Sequence, residues 1–296
     1  MRKSRAVVGL LGEYVRRIAR EEIEAAQKAA RRSERGRRRR KLRKRHARMT
    51  YSQKSLEGLL PRPHYAYGTY HAARLAKRLG IQRISVIEFG VAGGNGLLAL
   101  EEHANAVEQA SGVAIDVFGF DTGEGLPAPE DYRDMPYRFS RGAYRMDVDA
   151  LRKRLTRAQL VIGDIKVTGE SFLSDFTPSP IGFAAFDMDF YSSTMQALRI
   201  FAGQNDQAFF LPRIQMYFDD INGTDISAYN EHVGELAAIA TFNSLEAHIK
   251  IAENRVFRTH PTVAWGSQMY LMHRFHDDLY SVPVANSKPT SLSLNF

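Results

Sequence analysis

Ile84-Ser-Val-Ile-Glu88-Phe-Gly90-Val-Ala-Gly-Gly94-Asn-Gly96 is a short apolar run that ends in a glycine turn and leads into a helical pattern. In an open parallel α/β sheet such a strand, turn and helix form the first unit. The glycines let the backbone bend and approach a ligand, and a helix N-terminus lies just behind them. The spacing is GxxxGxG, not the dinucleotide fingerprint GxGxxG. By itself the turn is equally well explained as a tight structural connection.

Working outward, short apolar runs alternate with longer helical patterns, which predicts a doubly wound, mostly parallel α/β sheet. Predicted strands are Ile84–Phe89, Ile115–Phe120, Ala158–Ile162, Gly182–Phe186, Gln215–Phe218 and Gln268–Arg274. Helices are predicted at Gly96–Ala110, Asp147–Leu155, Ser193–Phe201 and Ala228–Phe242. No internal repeat divides the region, so residues 83–280 read as one domain. A helical cap at 51–82 precedes it, with a helix near Tyr70–Leu79 and a tyrosine-rich approach from His64 to Tyr70. Residues 281–296 form a C-terminal tail.

Four predicted strands end in aspartate: Asp121, Asp164 (two residues beyond its strand), Asp187-Met-Asp189 and Asp219-Asp220. Because the carboxyl ends of parallel strands share one edge, these residues are predicted to meet around one cleft. Asp121 stands where an acidic residue accepts hydrogen bonds from a ribose diol, and Asp164 where one accepts from an exocyclic amine. Carboxylates converging in this way repel one another unless a cation neutralises them. Oxygen ligands without cysteine or an obvious histidine set select Mg²⁺, Ca²⁺ or Mn²⁺ over zinc. The bland alternative is that each aspartate caps a helix or turn, a reading that suits Asp189 before Tyr191-Ser-Ser.

The 296 residues carry a net charge of +8 that is unevenly spread. Residues 1–50 hold 19 Lys/Arg against 5 Asp/Glu, a net of +14, leaving 22 against 28, a net of −6, for residues 51–296. The densest part, Arg31–Arg48, repels itself too strongly to pack, so residues 1–50 read as a basic helical or disordered extension with RNA, DNA or an anionic membrane as partner. Val7, Leu11, Tyr14, Val15 and Ile18 recur at helical spacing and describe an amphipathic helix that could dock on its own domain, on a second copy in a homo-oligomer or on a membrane surface. The bland reading is a docking helix plus a solvated extension. No apolar stretch reaches the roughly 18–20 residues of a membrane span. The chain contains no cysteine, which rules out disulfides, a thiolate nucleophile and a Cys-based zinc site and fits a cytoplasmic location.

Taken in order, EFGVAGGNG at 88–96, FDTGEGLP at 120–127, FDMDFYSSTMQAL at 186–198 and YFDDI at 217–221 resemble the class I S-adenosylmethionine-dependent methyltransferases, most closely the macrocin O-methyltransferase branch. The resemblance covers residues 83–275 and implies a Rossmann-like methyltransferase sheet. It implies Glu88 and Gly90 beside the methionine moiety, with Gly94 and Gly96 completing the cofactor turn, Asp121 on the ribose hydroxyls and Asp164 near adenine. It also implies Asp187, Asp219 and Asp220 as ligands of a divalent cation, Mg²⁺ being the expected ion, and Asp189 as general base. Two positions depart from the family: Ala92 replaces a common aromatic residue, and Leu211-Pro212-Arg213 replaces a Gly-Gly turn. The expected activity is methyl transfer from S-adenosyl-L-methionine to a hydroxyl of a small molecule or sugar. The alternatives are a nucleic-acid methyltransferase that grips its substrate through the basic tail, and a non-catalytic binder of cofactor or polyanion. His64, His260, His273 and His276, with Trp265, are the remaining candidates for approach to a substrate, and packing explains them at least as well.

Overall fold

A computed structural model describes residues 46–203, 207–225, 227–260 and 262–284. The chain divides into two compact units, Met1–Thr50 and Tyr51–Phe296. Of the first, only residues 46–50 are described. The predicted amphipathic helix, the basic run up to residue 45 and most of the C-terminal tail therefore lie outside the described residues.

The second unit runs α1 (Tyr51–Leu56), α2 (Pro63–Arg78), β1 (Arg83–Phe89), α3 (Asn95–Ser111), β2 (Ala114–Asp121), α4 (Val148–Arg154), β3 (Gln159–Ile162), α5 (Ile165–Phe176), β4 (Ile181–Phe186), α6 (Tyr191–Arg199), β5 (Phe210–Phe218), α7 (Gly234–Leu245), β6 (Ile249–Glu253) and β7 (Met269–Arg274). The strands form one sheet in the order β3-β2-β1-β4-β5-β7-β6. β7 is antiparallel to both its neighbours, and the other pairs are parallel. This is the doubly wound, mostly parallel sheet that the alternation predicts. Helices α2 and α3 pack on one face, and α5, α6 and α7 pack against one another in sequence. Both faces are thus covered, which is why β4 is buried at every position and β1 at every position after Arg83.

A row of phenylalanines sets the level of the site. Phe89 is in register with Phe120 and Phe186, and Phe186 with Phe218. The rings form a continuous row, with centroids 5.0 Å apart for Phe89–Phe120 and Phe89–Phe186 and 4.7 Å for Phe186–Phe218. All four side chains are buried. The residue that follows each phenylalanine is Gly90, Asp121, Asp187 or Asp219. A one-residue slip in any strand would expose its ring and move its aspartate to the wrong face.

Several elements depart from their predicted extents. α2 begins at Pro63, a favoured first helical residue, so the tyrosine-rich approach is itself helical. β5 begins at Phe210, five residues early. The β4–β5 register shifts across this stretch, and Pro212, which has no N–H to donate, is tolerated there because the ladder is already interrupted. Helix α5 and strand β6 are additional. Ile165, Gly169 and Phe172 are buried at helical spacing in α5, and Ile249 and Ile251 alternate inward in β6.

Candidate active site

At the carboxyl ends of the parallel strands lies a cavity of about 880 Å³. Gly90, Asp121 and Asp164 line it on the β3-β2-β1 side, and Asp187, Asp189, Asp219 and Asp220 on the β4-β5 side. The predicted convergence is therefore present. Glu88, Gly94 and Gly96 are not in the wall: they shape the turn beneath it.

Gly90 adopts φ 84°, and a Cβ there would collide with the Asp187 carbonyl oxygen, so only glycine brings the β1 turn this close to β4. Gly96 is required for a different reason. A Cβ on it would strike Glu88 Oε1. Gly94 is the N-cap of α3. Glu88 is buried under this turn, where Oε1 accepts from the Tyr65 hydroxyl at 2.7 Å and Oε2 has no partner. Burial pushes its carboxyl up to about 8, against the opposing effects of the Tyr65 hydrogen bond and the Arg62 charge.

Asp121 is held by the backbone. Its Oδ2 accepts from Val91 N at 3.0 Å and Ala92 N at 2.8 Å, and its Oδ1 from Gly123 N at 2.7 Å. It therefore ties the glycine turn of β1 to the loop after β2 while still facing the cavity. Asp164 caps α5, accepting from Lys166 N at 2.9 Å, and also lines the cavity. For Asp164 the capping and cavity readings describe one arrangement.

The β4-β5 side is different. One carboxylate oxygen from each of Asp187, Asp219 and Asp220 lies within 4.8 Å of the others, an arrangement suited to one cation. Burial, then the charges of Asp219 and Asp220, pushes the Asp187 carboxyl up to about 7. Asp220 is also raised, by burial and then by Asp189 and Asp219. Oxygen donors grouped this closely, with Asp187 and Asp220 held above the ordinary carboxylate range, fit a hard divalent ion that would displace their protons. Asp189 is not one of the trio but touches it through Asp220. Its backbone is left-handed, φ 60°, and its N–H donates to Asp220 Oδ2 at 3.1 Å. It does not cap α6: the N-cap is Phe190, without a side-chain capping bond, and Asp134 instead accepts from Ser192 N and Oγ, each at 2.8 Å. The bland reading of Asp189 thus loses its geometry. Burial, then the Asp187 charge, raises its carboxyl to about 6.

Sequence reading missed Glu235 at the start of α7. It is fully buried, and its two oxygens accept from Met188 N at 3.3 Å and Asp220 N at 3.0 Å. One side chain therefore joins the two loops that carry all four acidic residues. A glutamine would turn an NH₂ toward one of these donors. The signal in sequence was slight, a single glutamate after Gly234. Tyr217 was also missed: its hydroxyl donates to Asp219 Oδ1. Tyr137 and Arg138, in the loop after β2, bond to Ser227 O at 2.9 Å and Asp225 at 2.7 Å, tying that loop to the one after β5.

The histidines do not line the cavity. His64 stacks on Tyr217 with centroids 4.0 Å apart. His273 bonds to Tyr280 on antiparallel β7, whose carboxyl end lies at the opposite edge of the sheet. His260 bonds within its own turn, His276 lies beside Arg274, and Trp265 packs against Tyr67 and Phe257.

No family model and no curated relative matches the chain. Solved structures do match it. The calicheamicin methyltransferase CalS11 aligns at 18% identity over 69% of this chain and 77% of that one, with a TM-score of 0.47. The O-methyltransferase NovP aligns at 13% over 72% and 80%, with a TM-score of 0.46. The O-methyltransferase TomG from Streptomyces achromogenes, in complex with S-adenosylmethionine, aligns at 11% over 70% and 78%, with a TM-score of 0.35.

Proposed function

We propose that the protein is a metal-dependent O-methyltransferase that moves a methyl group from S-adenosylmethionine to a hydroxyl of a small molecule or sugar. The observation that carries this reading is one cavity joining the glycine turn and the strand-end carboxylates Asp121 and Asp164 to the Asp187–Asp219–Asp220 trio. Its volume falls within the ~300–1,000 Å³ common for small-molecule sites. Asp121 would hold the ribose hydroxyls, Asp164 would lie near adenine, and Glu88 and Gly90 beside the methionine end. Asp187, Asp219 and Asp220 would hold a divalent cation such as Mg²⁺, which when bound lowers the pKa of an acceptor hydroxyl.

Asp189 would accept the proton of that hydroxyl. With its pKa raised to about 6 it is still ionised at neutral pH, yet it is a stronger base than an ordinary aspartate. Bound S-adenosylmethionine would supply an electrophilic methyl group for that oxygen, and Asp189 would hold the proton the hydroxyl gives up. Calorimetry tests the reading directly: the protein should bind S-adenosylhomocysteine and Mn²⁺ or Mg²⁺. Asp219→Asn should weaken the cation site and recover partly at higher Mg²⁺, because mass action refills a weakened site. A folded protein that binds neither ligand is not this enzyme.

The +14 charge of residues 1–50 supports a second, separate proposal, that this segment grips a polyanion, either RNA or an anionic membrane. Full-length protein should bind RNA or anionic vesicles with a steep loss of affinity as salt rises, and residues 51–296 should not. Equal binding by both would remove the proposal.

A further inference from the structure

Arg62 enters α2 in a conformation its neighbours disfavour. At φ 38° and ψ 65° it is a left-handed non-glycine residue directly before Pro63, a position that proline pushes toward extended backbone. It is also the N-cap of α2, yet its side chain makes no capping hydrogen bond. Strain of this kind persists where the surrounding structure holds a residue for another purpose. Here the guanidinium lies beside Asp187, a residue of the cavity wall. Its Nη1 lies 3.8 Å from Asp187 Oδ2, too long for a hydrogen bond, and its side chain is 33% exposed. The guanidinium carbon is 5.3 Å from the centroid of Tyr65, whose hydroxyl donates to Glu88. Arg62 therefore stands between Glu88 at the end of β1 and Asp187 at the end of β4. These are adjacent strands whose connections leave in opposite directions, the place where ligands of doubly wound sheets bind.

The amino-acid end of S-adenosylmethionine carries a carboxylate beside an ammonium. A planar guanidinium with free donors matches the first. We propose that Arg62 anchors the α-carboxylate of the cofactor's methionine end. This rests on the reading that S-adenosylmethionine occupies the cavity. The arrangement also balances charge, because a cation held by Asp187 withdraws that carboxylate from Arg62 and the cofactor's carboxylate replaces it.

Two ligands and three proteins test this by calorimetry: S-adenosylhomocysteine and its decarboxylated analogue, against wild type, Arg62→Met and Arg62→Lys. Wild type should prefer the intact ligand by about tenfold to a hundredfold, the range for a hydrogen bond between charged groups. In Arg62→Met the preference should fall toward unity with the analogue's affinity retained, and Arg62→Lys should keep part of it. The inference is overturned if wild type does not distinguish the ligands, or if Arg62→Met keeps the full preference. Should Arg62→Met fail to fold, the wild-type ratio and Arg62→Lys decide by the same criteria. Wild type that binds neither ligand overturns the cofactor reading itself, and the inference with it.

Discussion

Aspartates end the strands on both sides of the cavity, but the two sides treat them differently. On the β2-β3 side the backbone satisfies them: Asp121 accepts three turn N–H groups and Asp164 caps a helix. On the β4-β5 side one carboxylate oxygen from each of Asp187, Asp219 and Asp220 lies within 4.8 Å of the others, and among the described residues the nearest cationic side chain, Arg62, stays 3.8 Å from Asp187. A carboxylate with several amide donors needs no counter-ion, whereas three that share a space do. The same residue type at the same level of the sheet thus shapes a turn on one side and crowds three carboxylates together on the other.

The largest expected effect tests the division of roles on the acidic side. Asp189→Asn removes the proposed proton acceptor but leaves the trio, so turnover should fall by about 10²-fold or more, a common general-base contribution. Cofactor and cation binding should persist, and added Mg²⁺ should not rescue it. Loss of the cation in Asp189→Asn would make Asp189 a fourth ligand and break the separation drawn above.

Next is the support behind the trio. Glu235 touches the loops of Asp187–Asp189 and Asp220 through their backbone N–H groups. Glu235→Gln should weaken Mn²⁺ binding by about 10- to 100-fold, as loss of an outer-sphere partner does. Affinity unchanged in a folded variant would show that the loops hold themselves.

The smallest effects compare the two sides directly by denaturant unfolding without divalent ions. Asp121→Ala leaves three turn N–H groups without their charged acceptor and should cost about 1.5–3 kcal/mol of stability, together with a loss of cofactor affinity. Asp187→Asn should do the opposite above pH 6. The folded pKa of Asp187, about 7, exceeds its unfolded value, so between roughly pH 4 and 7 the native state holds the extra proton and stability falls as pH rises. The substitution should flatten that slope, as should saturating Mg²⁺ on the wild type. A slope unchanged by either would mean that the trio carries no stored repulsion.

Much of the site was legible because strand ends are legible. The apolar runs ending at Phe89, Phe120, Phe186 and Phe218 mark both the core and the level of the cavity, so the residue after each run could be nominated without coordinates. Helix α5 was obscured by the polar spacing of Lys166, Thr168 and Glu170, and the early part of β5 by Pro212, which reads as a break. Asp189 was harder to place. In sequence it is as good a helix cap as a base, and only the backbone path, with Phe190 as N-cap and Asp134 supplying the bonds to Ser192, separates the two.

By itself, the sequence determined the sheet, its line of strand-end residues and the convergence of carboxylates, since hydrophobic periodicity and parallel connections are properties of neighbouring residues. Tertiary structure alone decided which carboxylates are satisfied and which repel. It alone brought Glu235, 46 residues from Asp189, behind the acidic loops, and Arg62, 125 residues from Asp187, beside that carboxylate. Charge interactions depend on distance and burial, and contacts between residues so far apart along the chain leave no pattern in their own neighbourhoods.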